Sequence, residues 1–346
     1  MKNRSLIYSG ILFIVAILYI IWGILGILDY KNLVYAGYQV DSDRKIYLVD
    51  EGSPADIAGM KEGDIIKDVI RESDELITTE KKPLSERGRS KIGEKREYVV
   101  DRNGETLTLQ FTLGPTTTKK KVYRVIYYMM GLIFVLSGIY TNYRVKSDLS
   151  LTYATFAVFF AYFFAVFFPI SPYIGSGSLS RIINGFIISF ELISLSVLVH
   201  FLFKYPPVSN FIKKGNNRIW PYVPVILVLV IGWISILFFP GKENISNQIF
   251  NASFVFFPFI YFIWSLVIII RKFVKANSEI RKTSGLNLIL WGGCIGIAST
   301  FISIIISFIT SDSALSGGAY LGLLIIAIPV FFMLALLKQN KSIVTN

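Results

Sequence analysis

Glu191, His200 and Cys294 are the residues on which chemistry could most readily be hung, and each stands alone. His200 is the only histidine and Cys294 the only cysteine. One histidine cannot build a two-histidine zinc site, and the sequence contains no His-Glu-x-x-His. One thiol allows neither an intrachain disulfide nor a cysteine metal cluster. A nucleophile–histidine arrangement has a single base to draw on, and a serine–lysine pair finds no lysine at mid-span. The chain therefore reads as a non-enzyme with no metal and no cofactor. Glu191 differs in kind. It is the only ionisable side chain near the centre of an apolar run, where a charge costs about 2.5–3.5 kcal/mol on insertion scales. Two readings stay open: a functional group (ligand contact, proton-linked switch or ion site), or a neutral acid hydrogen-bonded to a neighbouring helix. His200 lies nine residues further on, nearly on the opposite face of a helix, so it does not pair with Glu191. It reads as an interfacial histidine bonded to backbone or headgroups. Cys294 reads as a small buried apolar residue.

The elements that must position these residues are apolar. Of the 346 residues, 53% are hydrophobic and only 17% charged, with a mean hydropathy of +0.57. Eight runs are expected to be membrane-spanning helices, approximately 6–28, 125–141, 149–170, 182–203, 221–239, 251–270, 286–309 and 316–337. Helices are expected because a backbone in lipid must satisfy its own hydrogen bonds. The second run is the shortest, and Tyr123 to Tyr128 resembles an interfacial aromatic belt. Pro169 and Pro172 are expected to end the third span, with an outer loop at Gly175-Ser176-Gly177. The first run is too long for the apolar core of a cleaved signal peptide and reads as an uncleaved anchor.

The net charge of +12 is a topology signal. Segment 29–124 holds 18 Lys/Arg and 18 Asp/Glu, so the excess lies in short connections between apolar runs. With the amino terminus inside, fifteen Lys/Arg face the cytoplasm, Lys272 among them. Only Arg181 and Lys242 lie in the short outer loops. Lys119-Lys120-Lys121 and Arg124 run against this bias, but a domain of that size translocates largely regardless of charge. The distribution argues against nucleic acid and for a multi-pass cell-membrane protein with both termini cytoplasmic.

Segment 29–124 is long enough for one small α+β domain outside the membrane. Residues 96–113 read as a β-hairpin: Tyr98-Val99-Val100 and Leu107 to Leu113 flank Asn103-Gly104, a type I′ turn signal. Leu107, Leu109, Phe111 and Leu113 alternate with polar neighbours, as in a half-buried strand. Residues 114–118 read as a linker. The domain plan is then an anchor helix at 1–28, the outer domain with its linker at 29–121, a seven-helix bundle at 122–337 and a tail at 338–346.

Gly52-Ser53-Pro54-Ala55, Ala58-Gly59-Met60-Lys61 and Gly63-Asp64-Ile65-Ile66 follow one another in the order and spacing of a known motif. The segment resembles the core of HtrA-type bacterial PDZ domains over roughly residues 33–114. Ser53 is suited to cap a short helix with Pro54 at its first position, and Gly59 to end it. The resemblance implies a groove in which a peptide carboxyl terminus adds as a strand, its carboxylate held by backbone amides. The carboxylate loop would be Tyr35-Ala36-Gly37-Tyr38, with Ala36, Gly37 and Tyr38 as donors. The groove helix would fall near 83–92, where Gly88 and few apolar anchors depart from the pattern. The alternative is a PDZ fold used as a rigid spacer or dimer contact. His200-Phe201-Leu202-Phe203-Lys204-Tyr205-Pro206, Trp291-Gly292-Gly293 and the overall layout resemble the membrane sensor half of ComP-type histidine kinases. The nine residues after the last run hold no kinase region. The resulting expectation is a non-catalytic membrane receptor or scaffold that binds an extracytoplasmic peptide or protein terminus and signals through a separate kinase or protease partner. The alternatives are a substrate-presenting protease subunit and a small-solute transporter.

Overall fold

The structure is a computed structural model that describes residues 2–29, 33–41, 43–71, 91–165, 178–207, 219–238, 245–310 and 322–344. Its contacts divide the chain into two compact units. One comprises Met1–Ile24, Tyr123–Pro169 and Arg181–Asn346, and the other Leu25–Val122 and Ile170–Ser180.

The first unit is helical. Its helices are α1 (Lys2–Leu28), α3 (Thr118–Val145), α4 (Asp148–Ala165), α5 (Ser178–Lys204), α6 (Val223–Phe238), α7 (Ile245–Lys275), α8 (Ser278–Thr283), α9 (Leu286–Thr310) and α10 (Ala327–Val344), the last entered through a 3-10 turn at Leu323–Ile326; the end of α1 from Leu25, the start of α3 through Val122 and the start of α5 through Ser180 belong to the second unit. Among the described residues, six helical segments are long and apolar enough to cross a bilayer: Leu6–Leu28, Lys120–Val145, Asp148–Ala165, Ile182–Lys204, Phe256–Lys275 and Leu323–Ser342. Two further apolar stretches, Val223–Phe238 and Leu286–Ile302, are shorter. At 1.5 Å per residue, α6 covers about 24 Å, less than the ~30 Å of a hydrocarbon core. The second expected run, the shortest by hydropathy, extends to 28 residues in α3. Its polar and aromatic ends dilute hydropathy without interrupting the i to i−4 ladder. The expected end of the third span, its two prolines and the 175–177 loop lie outside the described residues.

Aromatic and small side chains knit this unit together. Tyr153 is fully buried among Phe156, Phe201 and Phe332, and its hydroxyl donates to the Pro329 carbonyl at 2.8 Å. On α9, Gly292 and Gly296 face α10 so closely that a Cβ would stand 2.8 Å from Phe331 Cβ and 2.5 Å from Ile328 Cγ1. Small residues four apart let two helix backbones approach where apolar surroundings provide no hydrophobic drive.

The second unit is built on antiparallel pairs. Strands β4 (Ile65–Arg71), β5 (Lys95–Arg102) and β6 (Glu105–Thr112) form one sheet in that order. Asn103 and Gly104 carry φ of 55° and 87° between paired Arg102 and Glu105, the two-residue turn expected from their types. Leu107, Leu109 and Phe111 are half-buried and alternate with exposed neighbours. They pack on a core of Ile46, Ala55, Met60, Ile66, Val69, Tyr98 and Val100. Strand β2 (Tyr38–Val40) pairs with β3 (Ile46–Val49). Strand β1 (Val34–Tyr35) pairs with β7 (Gly114–Pro115), and the Thr116 amide donates to Leu33 O at 2.9 Å. The expected linker at 114–118 is therefore largely strand and helix start. Two residues gave too short a pattern to read, and their partner lies some eighty positions away.

Candidate functional site

The Gly52-Ser53-Pro54-Ala55 segment folds by local rules. Ser53 is the N-cap of the short helix α2 (Pro54–Ile57), its Oγ accepting from the Asp56 amide at 3.2 Å. The Asp56 carboxylate in turn accepts from the amide of Gly52, the residue before the cap, at 2.8 Å, a variant of the reciprocal capping box. Gly59 follows the helix at a φ of +82°. The Gly63-Asp64 turn then leads into β4, and the Gly63 amide donates to Ile46 O at 2.7 Å.

Asp64 is buried and fully engaged. It accepts from the Lys61 amide at 2.9 Å, and from Arg102 Nε at 2.7 Å and Nη2 at 2.8 Å. Arg102 also donates to Gly59 O at 2.8 Å, fastening the hairpin to the 59–64 turn. Burial by itself would raise the Asp64 carboxyl. The Arg102 hydrogen bond, the Lys61 amide and the nearby positive charge outweigh burial and hold it below the usual carboxylate range.

The Tyr35-Ala36-Gly37-Tyr38 loop joins β1 to β2 and sits on this turn. Ala36 O accepts from the Ala55 amide at 3.0 Å, and Gly37 O accepts from the Asp50 amide at 2.7 Å. Ser53 Oγ adds a bond to Gly37 O at 3.3 Å. Gly37 has a φ of +94°, and a Cβ there would stand 2.0 Å from Ser53 Cβ. Both the backbone conformation and the space therefore demand glycine. Neither the Ala36 nor the Gly37 amide donates to any group among the described residues. Tyr38 opens β2 opposite Val49. Its ring meets Tyr98 edge-on at 5.6 Å. The structure thus brings Ala36 and Gly37 together with Ser53, Pro54 and Ala55, while Gly59, Gly63 and Asp64 form the neighbouring turn. The expected groove helix lies outside the described residues, apart from Lys91 and Ile92.

The loop's flank carries a group that residue types alone did not single out. Asp50 accepts from the Tyr35 hydroxyl and from Lys120 Nζ, the latter at 3.2 Å. Lys120 Nζ also lies 4.4 Å from the centre of the Tyr35 ring. Burial, then the Asp50 bond, push the Tyr35 hydroxyl above its ordinary value. Lys120 is remote in sequence, and its residue type places it only in a basic cluster with Lys119 and Lys121.

In the helical unit Glu191 is completely buried on α5, and neither carboxylate oxygen has a hydrogen-bond partner among the described residues. The nearest bond is to its backbone, where Ser194 Oγ donates to Glu191 O at 2.6 Å. His200 meets a side chain, not only backbone or headgroups: its Nδ1 and the Tyr222 hydroxyl are 2.8 Å apart. Cys294 is half-buried, less enclosed than expected, because its helix turns that face partly outward. Lys272, counted from sequence as a cytoplasmic loop charge, lies within α7 and is buried. Its ammonium donates to the carbonyls of Phe203 (3.1 Å), Tyr205 and Pro207 (2.8 Å), capping the end of α5 and the turn after it. Three donors meet carbonyls that a helix end leaves open. Among the described residues no three His, Cys, Asp or Glu side chains converge as a metal site. Compared with protein-family models, curated proteins and solved structures, the chain matches none.

Proposed function

We propose that this chain is a non-catalytic membrane receptor or scaffold. Eight helices span the membrane, with both termini in the cytoplasm. The sheet unit is an extracytoplasmic PDZ-like domain that binds the carboxyl terminus of a peptide or protein. A separate protein, a kinase or a protease, carries the output. The observation that carries the reading is the loop at 35–38. Its Ala36 and Gly37 amides have no internal acceptor among the described residues, while its carbonyls are tied down by Asp50, Ser53 and Ala55. Beside it, β2 pairs only with β3 among the described residues, leaving one strand edge without a partner. Because Gly37 O is bonded towards β3, the alternation of an antiparallel ladder directs the Tyr38 amide to that open edge. Free amides ending at an open strand edge suit a chain that adds as a strand with its carboxylate in the loop. The charge asymmetry of the short loops supports the orientation.

The test uses the full chain in lipid nanodiscs and a diverse library of short peptides, each with a free and an amidated carboxyl end. Binding that requires the free carboxylate, and is lost in Gly37→Val, is the expected result. Equal capture of free and amidated ends, or none, would overturn the reading.

A further inference from the structure

Asp50 poses a difficulty for a loop that receives a carboxylate. Its amide is bonded to the loop itself, through Gly37 O at 2.7 Å. Its side chain accepts from the hydroxyl of Tyr35, the first loop residue, so a negative charge stands beside the loop, and Glu51 and Asp56 follow within six residues. Asp56 is engaged with the Gly52 amide, and Glu51 is exposed to solvent. Asp50 is the acid whose charge bears on the loop most directly. An incoming carboxylate would meet like charge, which disfavours binding over several ångströms where water is partly excluded.

The structure supplies a counter-charge. Lys120 Nζ is 3.2 Å from Asp50 Oδ2, with each side chain about one-third exposed. The Tyr35 ring lies beneath the ammonium and the Tyr35 hydroxyl bonds the same carboxylate. Two fixed donors on one acid are more than a chance surface pair, and the aromatic face adds attraction for the cation. Tyr35 belongs to the loop, Asp50 follows β3, and Lys120 lies in the first turn of α3.

Resting on the receptor reading above, we infer that Lys120 sets the specificity of the loop. By pairing with Asp50 it offsets the negative charge beside the loop, so the site accepts a terminal carboxylate in preference to an amidated end. Lys120 is a positioning and charge-balancing residue, not a direct ligand contact. A lysine that merely holds the fold would affect stability and leave the preference between chain ends unchanged.

The experiment compares variants of the full chain in nanodiscs, using matched free and amidated peptides drawn from the library. Lys120→Gln should weaken free-carboxyl peptides roughly tenfold at low salt. The loss should shrink at ~1 M salt, where the screening length falls to about 3 Å. Amidated peptides should bind as before. Asp50→Asn should bind free-carboxyl peptides at least as well as the unaltered chain, and adding it to Lys120→Gln should restore most of the loss. Hydrogen exchange of the β5 and β6 amides checks that each variant is folded. If the unaltered chain prefers free carboxyl ends but Lys120→Gln binds equally well, the inference fails and the receptor reading stands. A loss that Asp50→Asn does not restore also overturns it. If the unaltered chain shows no preference for free carboxyl ends, the receptor reading fails, and the inference with it.

Discussion

Asp64 and Glu191 are two buried acids in the two units of one chain, and they are treated in opposite ways. Asp64 is closed in by an arginine fork and a backbone amide, all within 2.9 Å. Glu191 is as deeply buried, yet both its oxygens are without a partner among the described residues. In the sheet unit, turns expose backbone donors and the surface is rich in charge, so an acid can be satisfied on the spot. In the helical unit the backbone is used up within each helix, and an acid depends on another side chain reaching it. A buried polar group without a partner costs about 1–3 kcal/mol. Asp64 is therefore accounted for by structure, whereas the described residues offer the Glu191 carboxyl nothing that offsets its burial. Lys272 shows that the helical unit can satisfy a buried charge, where a helix end offers carbonyls.

Breaking the satisfied pair should have the largest effect. Arg102→Ala leaves Asp64 buried beside a lone amide and releases Gly59 O, at a cost of about 2–3 kcal/mol to the sheet unit. Hydrogen exchange of the β4–β6 amides measures it, and a loss below ~0.5 kcal/mol would mean the fork is ornamental. The same pair predicts a pH response. Asp64's folded pKa is depressed, so its contribution is fully present above the unfolded value, near 3.9, and is lost as pH falls through the folded one. The sheet unit of the unaltered chain should lose stability below about pH 4, and Asp64→Asn should flatten that part of the profile.

Removing the lysine cap comes next. Lys272→Met strips one donor group from three carbonyls near a helix end, where water can replace part of the loss, so about 1–2 kcal/mol is expected. Unfolding in bilayers, followed by tryptophan fluorescence, checks it. An unchanged stability would show that the cap duplicates what water provides.

The smallest change, and the one of opposite sign, belongs to Glu191. Glu191→Leu should leave the helical unit equally stable or more stable by up to ~1 kcal/mol, because it removes a carboxyl without a partner among the described residues. A destabilisation of 2 kcal/mol or more in the same assay would show that the carboxyl is bonded in the bundle and would dissolve the contrast with Asp64.

Legibility in the sequence followed distance along the chain. Ser53 as a cap, Pro54 at the helix start and Asn103-Gly104 as a turn could be read because each acts on neighbours within a few residues. The amide loop could be proposed only through a resemblance. Its glycine requirement was not readable, since it comes from Ser53 standing sixteen positions away. Lys120 and Lys272 were visible as charges but their partners were not, because a lysine's type carries no information about which carbonyl or carboxylate it will reach.

By itself, the sequence determined that this chain is largely helical, with runs of membrane-spanning length and one polar segment able to fold on hairpins and turns. Hydropathy, alternation and turn chemistry are summed over short windows, so they survive without knowledge of the fold. Tertiary structure alone decided that Val34 pairs with Pro115, that Arg102 clamps Asp64, that Lys120 meets Asp50, and that the Glu191 carboxyl meets no hydrogen-bonding group among the described residues. Each of these depends on which distant side chain arrives within about 3 Å, a distance at which hydrogen bonds and ion pairs act and over which local pattern has no reach.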